Sequence, residues 1–251
     1  MADAETPTKK SDLPVRAASA VVMVAVVAIA VWLGPEVWFA LVMLVGLVCY
    51  IELVQMVRKA FHPWQKRLLI ALAGLAYVGI ASFFLAMSPH SIIYDGNNPA
   101  SARVLAWIKP VSIIGVVIFT DVGAYFAGRM IGGPKIAPTI SPSKTWAGLA
   151  GGMAGAAAWS TTVQAFALIA VNFEFDTSWF EMRMIGALPA VHGAALAIIA
   201  QTGDFLESWL KRRAGVKNSS NLIPGHGGVF DRIDGLIPVV IVSFLFGLAP
   251  F

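Results

Sequence analysis

Charged residues are scarce in this sequence. Asp, Glu, Lys and Arg make up 13% of the 251 residues, hydrophobic residues make up 58%, and the mean hydropathy is +0.76. Soluble domains carry about 25% charged residues, so this composition excludes an ordinary water-soluble domain. The chain is therefore interpreted as a polytopic, all-α membrane protein.

Cysteine is almost absent. Cys49 is the one cysteine of the chain and lies within an apolar run. A single cysteine excludes an internal disulfide, and its apolar setting predicts a small buried hydrophobic residue rather than a reactive one.

Long apolar runs predict the membrane-spanning helices. A straight helix needs about 20 residues to cross the hydrocarbon layer, within a range of about 17–25. We predict a bundle of seven transmembrane helices, with six to eight as the range. Residues 1–16 are predicted to be a polar cytosolic tail, and 17–251 a single membrane domain divided near residue 103. The runs cover 17–33, 36–57, 68–86, 104–122, 147–171, 184–203 and 236–250.

The positive charges predict the orientation. A cytosolic N-terminus puts all 18 Lys and Arg residues on the cytosolic side except Arg103, Lys109 and Arg183. Cytosolic loops of membrane proteins are enriched in these residues, so this orientation is favoured. The net charge of +4 is read as an orientation signal with added lipid or phosphate contacts, and not as a sign of nucleic-acid binding.

Most of the unusual polar chemistry is concentrated in residues 201–234, on the predicted cytosolic side. Spacings of three, four and seven residues place the first polar group on one helix face, at the end of the sixth span. The other faces there are apolar, so this polar face is expected to line a cleft or a protein interior; a solvated helix end is the alternative. The group comprises Asp204, Glu207, Ser208 and Lys211.

A glycine-rich segment follows at 224–228. Its three glycines allow backbone amides to approach an anion, and His226 between them is expected to bind phosphate or support the loop. Asp231 and Asp234 are three residues apart and suit Mg²⁺, with Arg232 between them to hold a phosphate. The alternative is a loop that ends in an Asp-capped helix.

A second cytosolic segment, 121–146, also carries candidate residues. Asp121 and Tyr125 share a helix face, and an aspartate at the end of an apolar span is costly without a partner or a function. Ser143-Lys144-Thr145 has the lysine and hydroxyl of a P-loop. The GxxxxGK[ST] pattern is missing and no strand is expected before it, so a P-loop is rejected and anion binding is retained.

Glu52 is an acid inside the second predicted span. An ionisable residue at such a position is a functional candidate by default, although the sequence identifies no partner for it.

Several blocks with fixed spacing together resemble a known family. They read DVGAY at 121–125, SPSKTW at 141–146, SWLKR at 208–212 with a lysine at 217, and LIPGHGGVFDRID at 222–234. From about Phe119 to Gly235 the chain closely resembles bacterial phosphatidate cytidylyltransferases, also called CDP-diacylglycerol synthases. Before that stretch only the general membrane character is similar.

The resemblance implies the reaction CTP + phosphatidate → CDP-diacylglycerol + pyrophosphate, with 104–251 as the catalytic part. It also implies one or two Mg²⁺ ions, with Mn²⁺ as a substitute, and a bacterial cytoplasmic membrane with the site facing the cytosol. The oligomeric state is left open, with a homodimer as one alternative. The expected metal ligands are Asp204, Asp231, Asp234 and Asp121, and Lys211 joins the first three as a catalytic residue. Expected substrate contacts are Ser208, Arg212, Lys217, His226, Gly227, Gly228, Arg232, Ser143, Lys144 and Tyr125.

One position departs from the family pattern. An aspartate usually follows the lysine matched by Lys217, whereas this chain has Asn218, which keeps an oxygen ligand but not the charge. A catalytically weakened lipid- or nucleotide-binding relative is therefore an alternative. A membrane transporter would need acids at mid-span, and a CDP-alcohol phosphotransferase would need an aspartate-rich pattern that the sequence lacks.

Overall fold

The computed structural model describes residues 13–90, 99–170 and 179–246. Within these ranges the chain is almost entirely helical. The helices are α1 (Leu13–Leu33), α2 (Pro35–Ala60), α3 (Trp64–Met87), α4 (Pro99–Met130), α5 (Trp146–Ala170), α6 (Trp179–Ala214), α7 (Phe230–Ile233) and α8 (Leu236–Leu245).

Each predicted span corresponds to a helix, which confirms the all-α membrane class. Among the described residues, four helical segments are long and apolar enough to cross a membrane, and they belong to α1 to α4. The seventh predicted run gives only the ten residues of α8, and its end at 247–250 lies outside the described residues. The count of seven spans, the cytosolic N-terminus and the domain division stay predictions.

Close helix packing positions the central part of the chain. A Cβ atom on Gly151 would lie 2.6 Å from the carbonyl oxygen of Gly123, and one on Gly155 would lie 2.4 Å from that of Phe119. Small residues of this kind let the backbones of α4 and α5 approach closely, as is common between helices in membranes. Similarly, Gly193 on α6 packs against the carbonyl oxygen of Ala156 on α5.

A short hairpin connects α4 and α5. Strand β1 (Lys135–Ala137) pairs antiparallel with β2 (Ser141–Thr145), with Lys135 opposite Thr145 and Ala137 opposite Ser141. The expectation that no strand precedes the Ser-Lys-Thr motif was wrong, because β-pairing of the polar segment supplies backbone hydrogen bonds outside the helices. The rejection of a P-loop stands, since the glycine pattern is missing and the motif lies within the second strand.

Candidate active site

A cavity of about 400 Å³, with Asp121 as its acidic lining residue, lies between the end of α4, the hairpin, the start of α5 and Gln201 of α6. Asp121 and Tyr125 come from α4 and lie one helical turn apart, as the sequence predicted. We call this space the acidic cavity. Its lining residues are Asp121, Ala124, Tyr125, Gly128, Arg129, Ser143, Lys144, Thr145, Gly148 and Gln201.

Lys144 links the acidic cavity to α6 through an ion pair with Asp204. Burial opposes the charged form of Lys144, but Asp204, followed by Asp121 and Asp234, outweighs it and raises the pKa of the ammonium group. Lys144 is therefore a protein cation within the field of three carboxylates.

Asp234 reaches the same field from the segment between α7 and α8. Burial, followed by the charges of Asp204 and Asp121, raises the pKa of its carboxyl group, although the backbone N–H of Gly235 donates to Oδ1 at 2.9 Å. A Cβ atom on Gly203 would lie only 2.2 Å from the carbonyl oxygen of Asp234. The missing side chain thus allows α6 to bring Asp204 towards Asp234.

Asp231 occupies a different environment and anchors the glycine-rich segment. Its Oδ1 accepts a hydrogen bond from Lys211 at 2.8 Å. Its Oδ2 accepts from the backbone N–H groups of Ser219 at 2.9 Å and Gly228 at 2.8 Å, and from the Ser219 hydroxyl at 3.0 Å. Burial opposes ionisation, but the neighbouring Glu207, followed by these donors, lowers the pKa of Asp231, so the carboxylate is held charged.

Glu207 completes this group from one turn earlier on α6. Its side chain is 1% exposed and lies 2.5 Å from the Lys211 ammonium group. Burial, followed by the neighbouring Asp231, raises the pKa of Glu207 well above its usual range. Lys211 therefore lies between the carboxyl groups of Glu207 and Asp231.

Glu52 is the functional candidate for which the sequence showed no partner. Its side chain is buried and accepts four hydrogen bonds at 2.6–3.1 Å. The donors are the hydroxyls of Ser219 and Ser220 and the backbone N–H groups of Val229 and Phe230. A carboxylate on α2 thus fixes both ends of the segment 219–230. The intramembrane position of Glu52 was the only sequence signal, because its partners are about 170 residues away along the chain.

The glycine-rich segment also contacts the first helix. Ser19 Oγ lies 2.7 Å from His226 Nδ1 and 3.0 Å from the Pro224 carbonyl oxygen. Gly225 has φ +76°, and a Cβ atom there would lie 2.8 Å from Arg16 Cγ. Arg232 donates to the His226 carbonyl oxygen at 2.9 Å. His226 therefore contacts α1 from within the glycine-rich segment, and its role in phosphate binding or loop support stays a prediction.

The other residues predicted to contact substrate lie around the acidic cavity and the anchored glycine-rich segment. The Ser208 hydroxyl lies 3.4 Å from Asp204 Oδ1, and Arg212 Nε donates to the Ile140 carbonyl oxygen of the hairpin at 3.3 Å. Tyr125 accepts a hydrogen bond from Arg129 at 2.7 Å. Lys217 and Asn218 are exposed. A role for each in substrate binding stays a prediction.

The carboxylates fit a hard divalent cation by chemistry. Mg²⁺ is bound by one or two carboxylates together with water and substrate phosphates. Asp204 and Asp234 fit this description, with Asp121 in the same field, and Lys144 is ion-paired with Asp204. Among the described residues, no three His, Cys, Asp or Glu side chains are grouped closely enough to hold a metal ion by themselves. Asp231 would have to exchange a protein donor for the metal.

Substitution of Gly228 by alanine tests how tightly the glycine-rich segment is packed. We expect Gly228→Ala to abolish the native loop, because the new Cβ would lie 2.0 Å from Ser219 Oγ and 2.5 Å from Glu52 Oε2. The expected result is loss of turnover and a lower midpoint of thermal unfolding in detergent. Gly79→Ala is the matched control, since its Cβ would meet no atom within 4 Å. Normal activity of Gly228→Ala would contradict the packing described here.

The fold and site together define a helical membrane protein with an acidic cavity beside an anchored glycine-rich loop. A model of the cytidylyltransferase family matches residues 100–249, which include both groups of polar residues. The chain belongs to this family, which confirms the resemblance seen in its motifs.

Curated relatives support the same assignment. A phosphatidate cytidylyltransferase of Brucella suis is 39% identical over 175 residues, which are 70% of this chain and 56% of the relative. This chain thus spans a little over half the length of that relative. Phosphatidate cytidylyltransferases of Rickettsia bellii and Pseudomonas aeruginosa are 31% and 33% identical; the matches cover 96% and 78% of this chain and 93% and 75% of the relatives.

Proposed function

We propose that this protein transfers the cytidylyl group of CTP to phosphatidate, giving CDP-diacylglycerol and pyrophosphate. The observation that carries the proposal is the meeting of Lys144, Asp204 and the acidic cavity within the part of the chain that matches the family. The relatives named above are called phosphatidate cytidylyltransferases, which indicates the same substrates.

The reaction joins two anions, so charge neutralisation is its main requirement. A phosphatidate oxygen attacks the α-phosphorus of CTP, and the bond from that phosphorus to the β-phosphate bridging oxygen breaks. The attacking phosphate is already ionised, so no general base is needed. Catalysis of such a transfer depends on positioning and electrostatic stabilisation.

A divalent metal, when bound, would neutralise phosphate oxygens and orient the reacting groups. Asp204 and Asp234 would hold it, with Asp121 nearby on the lining of the acidic cavity. Asp231 would act chiefly by anchoring the glycine-rich segment and by its hydrogen bond with Lys211.

The cationic side chains have separable tasks in this proposal. Lys144 and Ser143 reach the triphosphate from the hairpin, because both line the acidic cavity. Arg232 is exposed beside the glycine-rich segment, where a lipid phosphate can approach it. Arg212 and Lys217 are exposed at the end of α6 and beyond it, and they extend the basic surface for phosphate.

The predicted orientation places this site at the cytosolic face of a bacterial cytoplasmic membrane. Lys and Arg residues are concentrated on the side of the hairpin and the glycine-rich segment. CTP would reach the acidic cavity from water, and phosphatidate would arrive from the bilayer.

The proposed function is tested by measuring which phosphorus of CTP is incorporated into lipid. Purified protein reconstituted with phosphatidate and Mg²⁺ is given CTP labelled with ³²P at either the α- or the γ-phosphorus. Transfer of the cytidylyl group puts only the α-label into lipid, and the γ-label leaves in pyrophosphate. Incorporation of the γ-label into lipid would instead show a lipid kinase, and no lipid label with either nucleotide would reject the enzyme.

Asn218 does not require a weakened enzyme. Its side chain is exposed, and its Cβ and Cγ lie near Gly227 rather than in the acidic cavity. We expect Asn218→Asp to leave turnover unchanged or raise it within about twofold, as is usual for exposed positions. Initial rates of wild type and variant at saturating CTP check this. A rise of more than tenfold would favour the catalytically weakened relative.

A further inference from the structure

A second, apolar cavity of about 560 Å³ lies between α1, α2, α3, α4 and the segment 232–240. Its volume is within the range of about 300–1,000 Å³ that is typical of small-molecule sites. We call it the apolar groove. The lining residues are Met23, Val24, Val27, Ala28, Trp38, Leu41, Val42, Val45, Gly46, Ala81, Ser82, Leu85, Ile114, Ile118, Arg232, Ile233, Leu236, Ile237 and Val240.

One end of the groove is charged and the rest is apolar. Arg232 is the single charged residue among the groove-lining residues that the structure describes. In the chain it lies between Asp231, which anchors the glycine-rich segment, and Asp234, which lies near Asp204 and Asp121, so the groove ends at the candidate active site. An apolar channel with one guanidinium at its mouth matches a molecule that has a phosphate joined to a hydrocarbon chain.

The groove has the length of an extended apolar ligand. On α2 its lining runs from Gly46 to Trp38, which is about 12 Å along a helix axis. Alongside, the segment 233–240 lines the groove with Ile233, Leu236, Ile237 and Val240. An acyl chain that enters at Arg232 can therefore pass between two helices without meeting another charge.

The first helix closes one side of the groove with little packing of its own. Ala30 is its single buried residue among those described, whereas Ser19 near its start is bonded to Pro224 and His226. Met23 and Val27 follow one and two turns after Ser19 and face the groove. The contact with the glycine-rich segment thus holds this wall in register with Arg232.

We propose that the apolar groove binds an acyl chain of phosphatidate while Arg232 binds its phosphate. This inference rests on the proposed function and adds where the lipid substrate lies. The phosphate on Arg232 would then face Asp204, Asp234 and Asp121. The acyl chain would fix the direction from which the nucleophilic oxygen approaches CTP.

Photolabelling of the wild-type protein tests the location without any substitution. The protein in phosphatidylcholine nanodiscs is irradiated with phosphatidate that carries a diazirine in one acyl chain, and the labelled peptides are mapped. We expect labels within residues 23–28, 38–46 and 233–240, removed by unlabelled phosphatidate. Labels confined to other segments would overturn the proposal. So would equal labelling by a diazirine phosphatidylcholine, which would show that the groove holds bulk lipid.

A matched pair of substitutions on α1 tests the consequence for turnover. Val27→Trp narrows the groove, whereas Val22→Trp places the same ring at an exposed position that does not line it. We expect Val27→Trp to raise KM for dioleoyl-phosphatidate about tenfold, as for a misfit in an apolar pocket. KM for dihexanoyl-phosphatidate should change little, and Val22→Trp should leave both constants unchanged. Equal effects on long and short chains would overturn the acyl site.

These outcomes differ from failure of the proposed function. If the protein makes no CDP-lipid from phosphatidate of any length, the enzyme proposal fails, and the labelled peptides alone decide whether the groove binds phosphatidate. If CDP-lipid forms while the groove is neither labelled nor sensitive to Val27→Trp, the enzyme stands and this inference fails.

Discussion

Glu52→Gln is expected to lower the rate of CDP-lipid formation about 100-fold. The carboxylate accepts four hydrogen bonds from the segment 219–230, and glutamine turns one acceptor oxygen into an NH₂ group that faces donors. Leaving buried donors without an acceptor costs about 1–3 kcal/mol for each group. If the native conformation of the segment 219–230 loses about 3 kcal/mol of free energy, the rate falls about 100-fold.

The measurement compares initial rates of reconstituted wild type, Glu52→Gln and Glu36→Gln. Glu36 lies in the first turn of the same helix, and its side chain is 90% exposed, so its variant should retain wild-type activity. Thermal unfolding in detergent distinguishes loop damage from global unfolding. Turnover by Glu52→Gln within twofold of wild type would show that the four hydrogen bonds to Glu52 do not maintain the active conformation of the segment 219–230.

Asp204→Asn is expected to abolish detectable turnover and weaken binding of a divalent metal. Asp204 pairs with Lys144 and raises the pKa of Asp234, so it is the carboxylate that connects the cavity with the loop side of the site. Changes that only support a metal ligand typically cost about 10–100-fold. Loss of a ligand should therefore exceed about 100-fold.

Binding of Mn²⁺, followed by electron paramagnetic resonance, measures the metal separately from catalysis. Wild type and Glu36→Gln should remove free Mn²⁺ from solution with the same affinity, whereas Asp204→Asn should bind at least about tenfold more weakly. Wild-type affinity in Asp204→Asn, together with lost turnover, would assign Asp204 to holding Lys144 rather than to holding the metal.

Sequence reasoning was most successful where one segment carried its own pattern. Apolar runs located the helices, and the spacing of Asp204 and Ser208 placed both on one face of α6, where their side chains lie 3.4 Å apart. The family was recognisable from motifs whose spacing is fixed along the chain. These features depend on neighbours in sequence, which a single chain displays directly.

Long-range pairing was what the sequence could not supply. Asp231 and Asp234 look equivalent at three residues apart, but Asp231 is bonded to Lys211 and the loop amides while Asp234 lies in the field of Asp204. The role of Glu52 depends on donors from the other end of the chain. The contact of Ser19 with His226 likewise joins two segments that no local pattern relates.

The most direct test of the central claim is formation of CDP-diacylglycerol by the purified protein. Wild type in nanodiscs is incubated with CTP, phosphatidate and Mg²⁺, each omitted in turn, and the lipids are identified by mass spectrometry. The proposed mechanism predicts CDP-diacylglycerol with one pyrophosphate for each lipid formed, and only when all three components are present. Folded protein that forms no CDP-lipid with Mg²⁺ or Mn²⁺ would contradict it.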